Sequence, residues 1–427
     1  MLIMHSIRRA VSRTLVASAL VVGAAACSDK FLAVTNPDVI DAATVDPTSG
    51  AATLAASSQQ NFATAVGWLS MYSGWFSGEA NVSDTFPTRN EFGFRLIVPE
   101  NGSLLTDVWR PISLAAASSK IVLDLTLPNP TTNINTARAA AFRGFSVLYM
   151  ATDFCIGTLS SGPALTTAQM LDTAIFWFGR AIDVGTANAS ADGIALANAS
   201  RVGRARAKLQ KGDNAGAATD AAATPAGFVF NLKYTDDLNN RTRLGNRLYQ
   251  FSFDRGAISV APAFRVTNDP RLTYNVPGTT TAQAFDPVPG GFFQQTKYFK
   301  TGASAGYDAP IRLASKLEAD YIAAEASGDA AAMLTLINAR RTANNQAVYA
   351  GATDKASVMT ELYNQRGIEF YLEGRRLADF RRSPSSVSNI TPAGAAYFKP
   401  GYSSTGTQTC YPLPRQELDN NPNLKTP

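Results

Sequence analysis

The chain has 427 residues, 45% of them hydrophobic and 17% charged, with a formal net charge of +5. That is a globular composition of low charge, long enough for a large core and, by length alone, for two or three domains. The single histidine is His5, so the rest of the chain works without imidazole. This excludes Ser-His-Asp and Cys-His nucleophile activation, histidine general-base chemistry and histidine-containing metal sites, and leaves paired-carboxylate hydrolysis, which needs only Asp and Glu.

The chain opens with a segment that reads as a signal peptide over 1–26. Arg8, Arg9 and Arg13 form a basic n-region without acidic residues, and the apolar run that follows is shorter than the roughly 20 residues a membrane span needs. The run "LVASALVVGAAACSDKFLAV" ends in small residues directly before Cys27. This is similar to a bacterial lipobox, with Ala24 where such boxes usually carry leucine, and predicts lipidation at Cys27. The other reading is cleavage after an A-x-A site, which would release a soluble secreted protein. Without the three arginines, 38 basic residues become 35 against 33 acidic ones. A body of net charge about +2 lacks the dense basic face that nucleic acid would want. Cys155 and Cys410 are the other two cysteines. In an exported protein they predict one disulfide, with two unpaired buried thiols as the alternative.

Residues 27–50 read as a tether and extended lead-in. Alanine-rich helical patterns follow at 51–74, 104–126, 133–153, 166–184, 192–211 and 214–223, and again at 311–327, 329–344 and 354–381. Between them, about 226–305 is rich in Gly, Pro, Asn and aromatics in short alternating runs such as "RLYQFSFDRGAISV", and reads as loops with a few short strands. Two helix pairs hinge on Gly-Asp, at 212–213 and 328–329. Ala205 and Ala217 are spaced like the small residues where tetratricopeptide helices cross, and Ala174, Phe178 and Ala181 fit the second-helix pattern A-x3-F-x2-A, with 133–153 as the partner helix. The expected fold class is all-α dominated: tetratricopeptide-like helical repeats in an α-α superhelix over 51–225 and 306–427, with a loop-rich insert between them, all in one domain from 27 to 427.

Two regions carry candidate chemistry. In "ELYNQRGIEFYLEGRRLADFRR", Glu369 and Glu373 lie four apart on one helix face. Arg366 precedes Glu369 by three, Arg376 follows Glu373 by three, and Arg375 precedes Asp379 by four, so each carboxylate has a cation at helical contact distance. Arginine partners favour the ionised carboxylate, which is wrong for a general acid, and the segment reads as a structural ion-pair network. The aromatic stretch "GWLSMYSGWFSGEANVSDTFPTRNEF" holds Trp68, Tyr72, Trp75, Phe76 and Phe86 near Glu79, Asn81, Asp84 and Arg89, and "VPGGFFQQTKYF" adds Phe292, Phe293 and Tyr298 beside Gly290 and Gly291. Flat rings stack on sugar faces while amides and carboxylates bind hydroxyls. Trp68, Tyr72, Trp75, Phe292, Phe293 and Tyr298 are therefore candidate ligand contacts. The helical spacing of the first three equally fits core packing. Tyr234 and Tyr274 are further candidates.

Three segments together resemble the SusD-like (RagB/SusD) family: "CSDKFLAVTNPDVI", then "LINARRTANNQ" with "ELYNQRGIEFYLEGRRLADFRR", and the ending "CYPLPRQELDNNPNL". The resemblance covers nearly the whole chain after Cys27 and is poorest in the middle third. It implies four tetratricopeptide-like units with a variable loop-rich part, a lipid anchor at the outer membrane, and docking as a lid on a SusC-like TonB-dependent transporter. The function it implies is non-catalytic capture of an oligosaccharide or other oligomeric nutrient, with no cofactor and no metal. A tetratricopeptide scaffold of the cell envelope and a surface glycosidase are the two rival readings.

Overall fold

The computed structural model describes residue 46, residues 50–279, 284, 286, 288, 290–299 and 306–424. The signal segment, Cys27 and the lead-in motif lie outside the described residues. The N-terminal part holds helices α1 (Ala51–Phe76), α2 (Pro87–Gly93), α3 (Arg110–Asp124), α4 (Ile134–Asp153), α5 (Thr167–Asn188), α6 (Ala191–Lys211) and α7 (Asn214–Ala222). The middle adds short helices α8 (Arg241–Leu244) and α9 (Arg247–Phe253), and the C-terminal part α10 (Lys316–Ser327), α11 (Ala330–Ala343), α12 (Lys355–Glu369), α13 (Arg376–Arg382) and α14 (Arg415–Asn420). Strands are few and short. Ala80–Val82, Ile258–Val260, Gln294–Gln295 and Tyr274–Asn275 lie side by side in that order, all antiparallel.

Side-chain caps begin most of the long helices. Asn133, Ser190, Asp213, Ser315, Asp329 and Asp354 each accept a backbone N–H of the first turn, and Thr166 with Gln169 forms a reciprocal capping box. Gly212 and Gly328 end α6 and α10 in the left-handed region, at φ 86° and 61°, so both Gly-Asp hinges combine a C-terminal glycine with the next helix's cap.

The repeat positions are buried. Ala174, Phe178, Ala181, Ala205 and Ala217 are fully covered. Phe178 of α5 sits between Gly144 of α4 and Gly203 of α6, where a Cβ would come within 2.8 Å and 2.6 Å of its ring. The two glycines let three helices close on one aromatic knob, which also meets Phe145 edge-on at 4.8 Å between centroids.

Three expected helices differ. Ile311–Ser315 is a strand, paired antiparallel with Val229–Leu232 around a bulge at Phe230/Asn231, and α10 begins only at Lys316. The alternation of "IRLAS" fits a strand with Ile311 and Leu313 buried and Arg312 half-buried. The helix expected over 354–381 stops at Glu369 and restarts at Arg376. Leu372 and Gly374 between them take φ values of 53° and 69°, which no α-helix accommodates. The helix expected from 104 opens with a π-helical turn at Leu104–Trp109 before α3.

Cys155 and Cys410 are joined in a disulfide that closes a 255-residue separation, with Cα atoms 5.1 Å apart. Tyr411 flanks the bridge: its N–H donates to the Asp153 carbonyl, and the Cys155 N–H donates to the Tyr411 carbonyl.

Candidate functional site

The interrupted helix changes the ion-pair network. With 370–375 out of helical register, the carboxylates find partners on other elements. Glu373 pairs with Lys297 at 2.9 Å and Arg312 at 3.0 Å, and Glu369 with Arg340 at 3.0 Å and Arg271 at 3.6 Å. Arg366 reaches Asp379 at 2.8 Å, and Asp379 also takes Arg382. Arg375 pairs with Glu318 at 3.2 Å and Arg376 donates to the carbonyls of Ser77 and Ser388. The expected partners three or four residues away are not the ones used. For Glu373 and Arg376 the cause is geometric, since neighbours three or four apart face each other only while the helix continues. Arg366 and Glu369 lie in continuous helix, and Arg375 directly precedes the helix that holds Asp379; these four instead take partners that tertiary packing brings to them.

Charge in this network is locked. Burial works against ionisation of Glu318, but Arg206 and Arg375 hold it down at about 2. Burial likewise opposes charge on Glu373, yet Lys297 and Arg312 keep its carboxyl below the ordinary glutamate value. A general acid must be protonated near its working pH, which is the opposite tuning. Two buried carboxyls go the other way: Glu79 and Asp153 are each pushed up to about 7, chiefly by burial. Glu79 accepts the N–H of Leu372 at 3.1 Å, so it braces the same left-handed turn.

The aromatic candidates separate by burial. Tyr72 and Trp75 are fully covered, packed edge-on with centroids 5.1 Å apart, and the Tyr72 hydroxyl donates to Asp107 at 2.6 Å. Phe292 and Tyr298 are buried too, and the Tyr298 hydroxyl donates to the Leu372 carbonyl at 3.0 Å. These four are core residues rather than ligand contacts. In the α1 stripe, helical spacing points both Tyr72 and Trp75 into the core. Phe293 is half-buried beneath the Arg265 guanidinium, 3.6 Å from its centroid. Tyr234 donates to the Ala63 carbonyl, and Tyr274 is half-buried beside Phe293.

Trp68 keeps partial exposure and leads to the open face. Its ring meets Phe251 of α9 edge-on at 5.3 Å, with the Arg247 guanidinium 4.6 Å from its centroid. Phe251 in turn lies under Arg89 and Arg255, each about 5 Å from its centroid. Arg89 also covers Phe86, which is 47% exposed, and is anchored by Asp84 at 2.5 Å. On the opposite side of α9, Phe253 is 44% exposed and stacks on Tyr249, interplanar angle 15°, backed by Phe299. Tyr307 closes that cluster against Tyr249, with Arg241 over its ring and its hydroxyl bonded to Asp254.

The result is two groups of aromatic and arginine side chains on either side of one short helix, with Phe86 exposed in one and Phe253 in the other, and with Arg89, Arg241, Arg255 and Asp254 beside them; together they are called the α9 face. Asn246 sets α9 in place: its side chain accepts the N–H groups of Leu248 and Tyr249 and donates to the Ala309 carbonyl. The sequence contained the signal, a capping Asn before Tyr249 and Phe253 spaced i, i+4. The alternating look of "RLYQFSF" obscured it.

Comparison with solved structures completes the picture. A SusD superfamily protein from Bacteroides vulgatus superposes with a TM-score of 0.63 over 89% of this chain and 98% of its own, at 15% identity. The fold is that of the SusD-like proteins. A putative sugar binding protein from Bacteroides vulgatus shares the SusD-like fold at a TM-score of 0.64 and 17% identity, over 90% of this chain and 98% of its own. Surface glycan-binding protein A from Bacteroides thetaiotaomicron, solved in complex with laminarihexaose, also has a TM-score of 0.64, at 14% identity, over 88% of this chain and 98% of its own. No protein-family model and no curated protein matches the chain.

Proposed function

We propose that this is a non-catalytic, lipid-anchored outer-membrane protein that binds an oligosaccharide on the α9 face and delivers it to a SusC-like TonB-dependent transporter. The observation that carries the reading is the pair of half-exposed rings, Phe253 stacked on Tyr249 and Phe86 under the Arg89 guanidinium, both edged by charged groups. Such rings offer apolar faces to sugars, and the flanking arginines and carboxylates offer hydrogen bonds to hydroxyls. The SusD-like fold supports the reading, as does the laminarihexaose held by one protein of that fold.

The glycosidase alternative needs two accessible carboxylates with opposed protonation. Glu369 and Glu373 are each held between two cations and are buried. The lipid anchor rests on Cys27 and the run before it. Binding is tested by titrating the soluble domain with an oligosaccharide panel. Delivery is tested by co-purification of a TonB-dependent transporter from solubilised outer membranes. The anchor is tested by fractionating cells that carry Cys27→Ala, where undiminished membrane retention would remove it.

A further inference from the structure

Away from the α9 face, a half-enclosed cavity of about 260 Å³ lies between α12, the end of α11 and the turn Pro262–Phe264. At ~30 Å³ per water it has room for roughly eight waters, the space of a single sugar ring with its hydroxyls.

Its lining is polar and nearly balanced in charge. Asp269 is paired with Arg271 at 2.6 Å, and Glu361 with Arg341 at 2.6 Å. Phe264 and Ile368 supply the apolar part. Gln365 is only 3% exposed and its Nε2 donates to Glu361 Oε1 at 2.8 Å. The neighbouring carboxylate fixes which way that amide points, and its Oε1 has no hydrogen-bond partner among the described residues. A buried acceptor left unpaired is costly unless water or a ligand donates to it. Across the cavity, Gln346 Nε2 makes only long contacts of 3.4–3.5 Å to backbone carbonyls, so its donors are weakly engaged.

We infer that this cavity is a second binding site, and that it takes one neutral, hydroxyl-rich sugar unit. A hydroxyl donates and accepts at once, which suits a wall that presents an unpaired amide oxygen, loosely held amide N–H groups and paired carboxylates together. Two of the three lining arginines, Arg271 and Arg341, are already matched by carboxylates, and the third, Arg376, is turned to the carbonyls of Ser77 and Ser388, so an acidic ligand gains less here than the count of arginines suggests. Hydroxyls can reproduce the hydrogen bonds of the waters they displace, which a hydrocarbon cannot. The choice of ligand class rests on this lining and not on the α9 face.

The test is calorimetric titration of the purified protein with glucose, mannose, galactose and N-acetylglucosamine, each up to about 100 mM. Ala263→Trp fills the mouth from an exposed position on the cavity rim. Gln365→Met removes the unpaired acceptor and is the second variant should the first misfold. A Phe86→Ala/Phe253→Ala protein controls for the α9 face. At least one sugar should bind the wild type and the α9-face variant equally. Ala263→Trp should weaken that binding by about tenfold or more, and Gln365→Met by roughly fivefold. The inference is overturned if none of the four binds, if the rim and amide variants bind like the wild type, or if binding is lost only in the α9-face variant. Failure of oligosaccharides on the α9 face alongside monosaccharide binding here would remove the earlier reading and leave this one.

Discussion

Replacing Glu373 with alanine should destabilise the protein without touching its ligand face. Glu373 is 2% exposed and its two oxygens take Lys297 and Arg312, both half-buried. Removing it strands two cations that also hold the carbonyls of Tyr371 and Glu369, and so the turn that interrupts the helix. Leaving a buried charge uncompensated costs about 3–5 kcal/mol. At about 2 °C per kcal/mol for a large domain, the melting midpoint at pH 7 should fall by several degrees. The pH dependence carries its own sign. The folded carboxyl titrates below the ordinary 4.5 because Lys297 and Arg312 outweigh burial. Its stabilisation is therefore fully present above pH 4.5 and fades as pH falls through the folded value. The gap between wild type and variant should thus be largest near neutrality and narrow towards pH 3. Equal melting at pH 7, or a gap that does not narrow on acidification, would refute the network as drawn.

Glu79 should behave with the opposite sign. Raised from 4.5 to about 7, it favours the folded state fully below pH 4.5, and that contribution, about 3 kcal/mol as an upper figure, is lost as pH rises through 7. Glu79→Gln should flatten the melting-versus-pH curve over that window, and an unchanged slope would count against it; Asp153→Asn should flatten it similarly. The Cys155–Cys410 bridge closes a long loop, for which the chain-entropy model gives about 5 kcal/mol as an upper value. Intact-mass measurement after alkylation of the non-reduced Cys27→Ala protein should find no modified thiol, and two modified thiols would mean no bridge. Phe178→Ala should cost about 3–5 kcal/mol in a denaturant titration, because the ring fills the space between Gly144 and Gly203; a loss under 1 kcal/mol would mean the three helices close without it.

The repeat helices were legible because local signals agree along them. Alanine-rich periodicity, polar caps such as Ser190 and Asp354, and the closing glycines 212 and 328 all point the same way. What the sequence concealed depends on distant partners. Ile311–Ser315 becomes a strand because Val229–Leu232 lies beside it. The turn at 370–375 needs a leucine in the left-handed region, held by Glu79 from almost 300 residues away. The aromatic site was half legible. The region around Trp68 and Phe86 was marked by composition, but Tyr72 and Trp75 faced the core, and Phe253 was hidden in a run that alternates like a strand. Ring type and spacing show where aromatics concentrate; which side of the element is covered is decided by tertiary packing.

The central claim is that Phe86 and Phe253 hold an oligosaccharide. Each ring has a little under half of its surface left to bury. Covering it is worth about 1 kcal/mol, so the double variant should lose about 2 kcal/mol, near 30-fold in affinity. The decisive measurement is a parallel binding and melting series on wild type and Phe86→Ala/Phe253→Ala with an oligosaccharide panel that includes laminarihexaose. We predict that at least one oligosaccharide binds, that the double variant binds it about 30-fold more weakly, and that its melting midpoint is nearly unchanged. Undiminished affinity in the double variant, or no binding across the panel, would contradict the account.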